Sequence, residues 1–159
     1  MKIMLYSFII RRASSEDAPA VFSILQTAFK EYSKITGLNR LEALSETVDD
    51  ICKEIASKAV YVVVIDNNIV GTVRLDIHGD EAYLSRFAVD YNNRNIGIGK
   101  SLMSVVDKFL REKGVKKVTL HTDSRHGVLV RFYYSRGFFV EAIETDRGYL
   151  RARLAKEYE

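Results

Sequence analysis

Between the strand-like run Ala82-Tyr83-Leu84-Ser85-Arg86-Phe87-Ala88-Val89 and an amphipathic helical pattern lies the segment Arg94-Asn95-Ile96-Gly97-Ile98-Gly99-Lys100-Ser101. Two glycines at alternate positions let the main chain approach a ligand closely, and the N–H groups left unpaired at a helix start point at negative charge. The segment is an anion cradle at a strand-to-helix junction. It demands an architecture that sets a strand end against a helix N-terminus, and it implies a phosphate-bearing ligand.

Spacing selects among the families that use such turns. A nucleotide P-loop needs Gly five residues before Gly99-Lys100-Ser101, where Arg94 stands, and no Walker B strand is evident. A dinucleotide fingerprint needs Gly or Ala three residues beyond Gly99, where Leu102 stands. A third pattern, Arg/Gln-x-x-Gly-x-Gly/Ala, is met by Arg94, Gly97 and Gly99, and Phe132-Tyr133-Tyr134-Ser135-Arg136-Gly137-Phe138 adds an aromatic-Tyr pair three residues before Gly-Phe. Together these two segments resemble the acyl-CoA pyrophosphate loop and the downstream motif of the GNAT superfamily of N-acetyltransferases. At the level of pattern the resemblance covers nearly the whole chain.

That resemblance implies transfer of an acetyl group from acetyl-CoA to a primary amine of a small molecule or protein, by direct attack in a ternary complex. The main chain of Phe87, Ala88 and Val89 would bind the pantetheine amides, and one N–H there would polarise the thioester carbonyl. Arg94, Asn95, Ile96, Gly97, Ile98, Gly99, Lys100 and Ser101 would hold the pyrophosphate at the helix start. Asn95 replaces a frequent Gly of relatives, and Asn tolerates left-handed backbone. His126 stands where the family often has Asn seven residues before its Tyr. Tyr133, four residues before Gly137, matches the family's general acid. Tyr134 is the neighbouring alternative, but adjacent helical residues diverge by ~100°, so both cannot enter one cleft. The general base is open among Glu81, Asp76, His78, Glu31 and water, with His121 at a strand end similarly ambiguous. A non-catalytic acyl-CoA sensor is the second functional reading.

Composition bounds these readings. The chain has 159 residues, 47% hydrophobic and 28% charged, with one Pro and no linker-like or repetitive tract, so a single domain over residues 1–159 is expected. A net charge of +3 is too mild for a nucleic-acid binder, and no run approaches the ~20 apolar residues of a membrane span. The lone Cys52 cannot form an internal disulfide, which suits a reducing cytoplasm, and the scattered histidines have no metal-ligand spacing. A homodimer is compatible with the chain.

The expected class is α/β (α+β): one mixed, mostly antiparallel sheet of six to seven strands flanked by about four helices. The apolar run Ile3–Ile10 reads as a first strand rather than a signal peptide, because Arg11-Arg12 follows it directly. Ser14-Ser15-Glu16-Asp17 opens a helix to about Ser33, and Lys34–Arg40 reads as a loop. Leu41, Leu44, Val48, Ile51 and Ile55 predict one second amphipathic helix. Its acidic residues Glu42, Glu46, Asp49 and Asp50 would attract a cationic amine or simply form a solvated face. A hairpin around Asp66-Asn67-Asn68, a helix stopping at Gly114, a strand over 115–121, a helix from about Arg125 and two closing strands complete the prediction.

Overall fold

The backbone of residues 7–159 is described by a computed structural model, so the expected strand segment Ile3–Tyr6 lies outside the described residues. Seven strands form one sheet in the order β1-β2-β3-β4-β5-β7-β6. They are β1 (Ile9–Arg12), β2 (Ala59–Ile65), β3 (Asn68–His78), β4 (Glu81–Val89), β5 (Lys117–Asp123), β6 (Phe139–Glu144) and β7 (Arg151–Glu157). Among the described residues there are five α-helices, one more than expected: α1 (Ala18–Thr36), α2 (Glu42–Ser45), α3 (Val48–Ser57), α4 (Ile98–Glu112) and α5 (Gly127–Ser135).

The extra helix arises because the expected second helix is broken. Glu46 is extended and Thr47 restarts the chain as an N-cap, its hydroxyl accepting from Asp50 N at 3.1 Å while Asp50 Oδ2 accepts from Thr47 N at 2.9 Å. A reciprocal capping box of this kind satisfies two donors at once and outcompetes a continuous helix. The three-and-four apolar spacing runs through the break without registering it. Similarly, α1 extends to Thr36 and stops at left-handed Gly37, three residues into the expected loop. The β2–β3 hairpin turns on Asp66 and Asn67, both with positive φ, as a two-residue turn matched to strand twist requires.

Helices α1 and α3 bury Val21, Leu25 and Ile51 against Val62 and Ala88 on one face of the sheet. On the other face α4 buries Ile98, Leu102, Met103, Val106, Phe109 and Leu110 with Tyr133 and Phe138. Met103 takes a core place in α4, whereas Val105 is only half-buried.

One feature of the sheet opens a site. The sole parallel pair, β4 with β5, is in register only from Glu81↔Lys117 to Tyr83↔Thr119. Beyond it the strands part, and the edge of β4 that faces β5 has no ladder partner from Leu84 to Val89. A bulge bends β4 at the same place: Thr72 pairs with Ala88 but Arg74 with Ser85, leaving an extra residue on β4. Arg86 sits in that bulge at φ 53°, a left-handed conformation that costs a non-glycine residue about 1–2 kcal/mol.

Candidate active site

The parted strands open into a cleft of about 1870 Å³, floored by β4 and β5 and walled by α1, α2, the start of α4 and α5. Its two halves are built differently.

In the half beside α4, the lining is largely main chain. From Asn95 to Lys100 no backbone N–H has a partner among the described residues, and the first bond of the helix start is Ser101 N to Gly97 O at 3.0 Å. The loop passes through two left-handed residues, Asn95 at φ 68° and Gly97 at φ 84°. Asn95 thus adopts the conformation expected of it. Gly99 is different, for a Cβ there would stand 3.4 Å from the rings of both Phe87 and Phe132. Those rings stack at 5.4 Å and with Tyr133 bind the end of β4 to α5 and the start of α4. Gly99 is therefore a packing position as well as a cradle position.

Arg94 lies in the loop with its side chain committed. Its Nε donates to Val89 O at 3.1 Å, and its two terminal nitrogens grip the Glu31 carboxylate at 3.0 and 2.9 Å. The guanidinium ties the loop to β4 and α1. Lys100 is exposed on the cleft rim, whereas Ile96 packs into the core and Ser101 does not line the cleft. His126 lines the cleft as the N-cap of α5, its Nδ1 accepting from Leu129 N at 3.3 Å. Burial lowers its pKa, which keeps the imidazole neutral and able to accept.

Tyr133 lines the cleft while being only 4% exposed, and burial raises its pKa well above that of a free phenol. Tyr134, 49% exposed, points away, as helical geometry requires of an adjacent residue.

The other half is made of side chains gathered from distant parts of the chain. Glu46, freed by the helix break, accepts from Arg74 at 2.8 and 3.3 Å and from Arg86 Nε at 2.8 Å. Burial pushes the Glu46 pKa up, but these two cations outweigh it and hold the carboxyl below its usual range. This junction clamps α2–α3 onto β3 and stabilises the strained bulge residue Arg86. A second array crosses the floor: Tyr83 Oη lies 2.7 Å from His121 Nδ1, and His121 Nε2 lies 3.1 Å from Glu144 Oε2. Burial, reinforced by Arg151, lowers the His121 pKa against the opposing pull of Glu144. Deeper still, Tyr32 Oη accepts from Asp123 N at 2.7 Å and meets Thr122 Oγ1 at 3.2 Å.

The four open candidates for the base sit less favourably than this array. Glu81 and His78 are exposed and outside the cleft lining, Asp76 is paired with His78 and Lys58, and Glu31 is held by Arg94. Tyr83, Arg151 and the Glu46 junction carried no sequence signal of their own. Of the acidic residues expected over the cleft, Glu46 is neutralised by arginines, Asp50 caps α3, Asp49 pairs with Lys53 and exposed Glu42 with Arg147. Among the described residues no His, Cys, Asp and Glu cluster has the form of a metal site.

Residues 19–138 match the acetyltransferase (GNAT) family. The chain belongs to that family. This acetyltransferase is 31% identical over 81 residues to a spermidine N(1)-acetyltransferase of Thermoplasma acidophilum, an alignment covering 51% of this chain and 49% of the relative. It therefore spans only about half the length of that curated relative. The YyaT protein of Bacillus subtilis is 26% identical over 136 residues, 85% of each chain. In fold, the acetyltransferase resembles the PaiA N-acetyltransferase from Thermoplasma acidophilum, solved in complex with coenzyme A, with a TM-score of 0.84 and 22% identity over 96% of this chain and 99% of that one.

Proposed function

We propose that this acetyltransferase moves an acetyl group from acetyl-CoA to a primary amine by direct attack within a ternary complex, using one domain over residues 1–159. The observation that carries the reading is the row of unpaired N–H groups from Asn95 to Lys100 beside a buried, protonated tyrosine in one cleft. That row and the positive end of α4 fit a pyrophosphate. The unpaired edge of β4 at Phe87, Ala88 and Val89 fits the pantetheine amides and offers an N–H to the thioester carbonyl, an oxyanion contact worth about 3 kcal/mol. Arg94 shapes the loop through Val89 and Glu31, Lys100 adds charge at the rim, and Ile96, Ile98 and Ser101 anchor it. His126 fixes the start of α5.

Tyr133 protonates the departing thiolate. Its raised pKa keeps the phenol in the donor form, and no hydrogen bond within the protein competes for its hydroxyl among the described residues. For the acceptor, Tyr83 takes the ammonium proton on Oη as its own proton passes to His121 Nδ1. Glu144 fixes the tautomer through Nε2–H and stabilises the imidazolium that forms. The lone Cys52 suits a reducing compartment, and we place the activity in the cytoplasm; no described helix is long and apolar enough to cross a membrane.

Thermal melts test the cofactor half. Acetyl-CoA and CoA raise the melting temperature by mass action while ATP with Mg²⁺ does not. An ATP shift without a CoA shift overturns the reading, and CoA release with a panel of primary amines tests turnover.

A further inference from the structure

Arg151 opens β7 on the acceptor side of the cleft, 8% exposed and lining the cavity. Its guanidinium forms no ion pair with a carboxylate among the described residues and lies against the Tyr83 hydroxyl. The surrounding carboxylates account for this. Glu144, opposite Arg151 on β6, is taken by His121 and Arg153. Asp123, opposite it on β5, turns Oδ1 to the Arg125 N–H at 2.9 Å and stays beyond ion-pair reach of Arg151, its Oδ2 buried without a partner. Asp123 is thus engaged with Arg125 and forms no ion pair with Arg151. The phenols Tyr83 and Tyr149 and the cations Arg86 and Arg147 line the same cavity, and Arg151, Arg147 and Arg86 all act on the Tyr83 hydroxyl. A guanidinium that lines a cleft without a carboxylate partner keeps its charge open to a ligand, and a planar anion can engage it through two hydrogen bonds at once.

The acidic groups of the same cavity point to the same substrate. Glu31 is held by Arg94, Glu46 by Arg74 and Arg86, Glu54 by Lys58 and Glu42 by Arg147. A polycationic acceptor would find carboxylates already paired and, in Arg151, a largely buried cation with no carboxylate partner among the described residues.

We propose that the acceptor is an amine carrying a carboxylate, and that Arg151 binds that carboxylate. Because Arg151 lies beside the Tyr83 hydroxyl, which receives the amine proton in the reading above, carboxylate and amine must sit close together, as in an α- or β-amino acid. The inference rests on the acetyltransferase reading and names its substrate class. It separates this chain from the polyamine acceptor in the name of its spermidine-acetylating relative.

The test is a set of L-α-amino acids and β-alanine, each beside its carboxamide, plus spermidine, assayed for CoA release with saturating acetyl-CoA. The acids should exceed their amides in kcat/KM by about 10²-fold, the scale of one lost buried charge-assisted contact. Arg151→Met should erase that preference, bringing the acid-to-amide ratio of kcat/KM close to one through the KM of the acids while the CoA-induced melting shift persists, and Arg151→Lys should restore part of it. Spermidine outperforming every acid, or an acid preference that survives Arg151→Met, overturns the inference. So does a full set left untouched by an enzyme that CoA still stabilises, whereas loss of the CoA shift itself in the wild type overturns the acetyltransferase reading instead.

Discussion

The two halves of the cleft are built by opposite means. Beside α4 the surface is main chain: unpaired N–H groups from Asn95 to Lys100 and the bare edge of β4, positioned by glycines and a bulge. Across the cleft it is an ionic and hydrogen-bonded lattice of side chains, Glu46 with Arg74 and Arg86, and Tyr83 with His121 and Glu144. Main-chain donors are common to every residue except proline and suit a ligand that does not change. Side chains can be exchanged singly, and such a half can be retuned to another acceptor without disturbing the cradle.

Where the halves meet, Tyr133→Phe should cut turnover by about 10²-fold or more and leave CoA affinity nearly intact, because the ring keeps its packing while the thiolate loses its proton donor. Tyr134→Phe should match the wild type. Steady-state rates paired with CoA titrations decide it, and a reversed pair of phenotypes would reassign the acid.

On the acceptor side, His121→Gln should lower kcat by about 10- to 100-fold without a change in CoA affinity. The pH dependence carries a sign. Burial and Arg151 lower the His121 pKa, so the imidazole is neutral at pH 7 and the acid limb of kcat should lie below pH 6.5, the group's ordinary value. A limb above that value would mean that the Glu144 charge outweighs burial, and the variant should lack the limb altogether.

Glu46→Gln strips the counter-charge from buried Arg74 and from the bulge residue Arg86. Breaking a buried pair costs about 3 kcal/mol or more, and Glu54, 3.9 Å from Arg74, trims the expected loss to about 2 kcal/mol in chemical denaturation. Acceptor KM should rise with it while CoA affinity holds, the sharpest separation of the two halves. The converse comes from Gly97→Val, which places a branched residue at φ 84° and should weaken CoA binding about tenfold through ~1–2 kcal/mol of backbone strain, with acceptor KM unchanged. Gly99→Ala, by contrast, meets Phe87 and Phe132 at ordinary contact distance and should change CoA affinity least.

The conformation of the glycine loop was legible because its requirement is local. Asn95, Gly97 and Gly99 stand within five consecutive positions, and the backbone angles they permit are a property of those residues themselves. The strands, the Asp66-Asn67 turn and the stop at Gly114 are local in the same sense. The helix break at Glu46 was not legible, because the apolar spacing of Leu41 to Ile55 serves two short helices on one face as well as a single long one. What only the tertiary structure decided is the pairing of charges. Glu46 meets arginines 28 and 40 residues away, Arg94 meets Glu31 across 63, and His121 meets Tyr83 across 38. In the sequence, Arg151 is one of many arginines; in the cleft, with Glu144 and Asp123 engaged by other cations, it has no carboxylate partner among the described residues. Local backbone rules are written in adjacent residues, whereas which charge remains unpaired depends on every other side chain that folding brings to the same place.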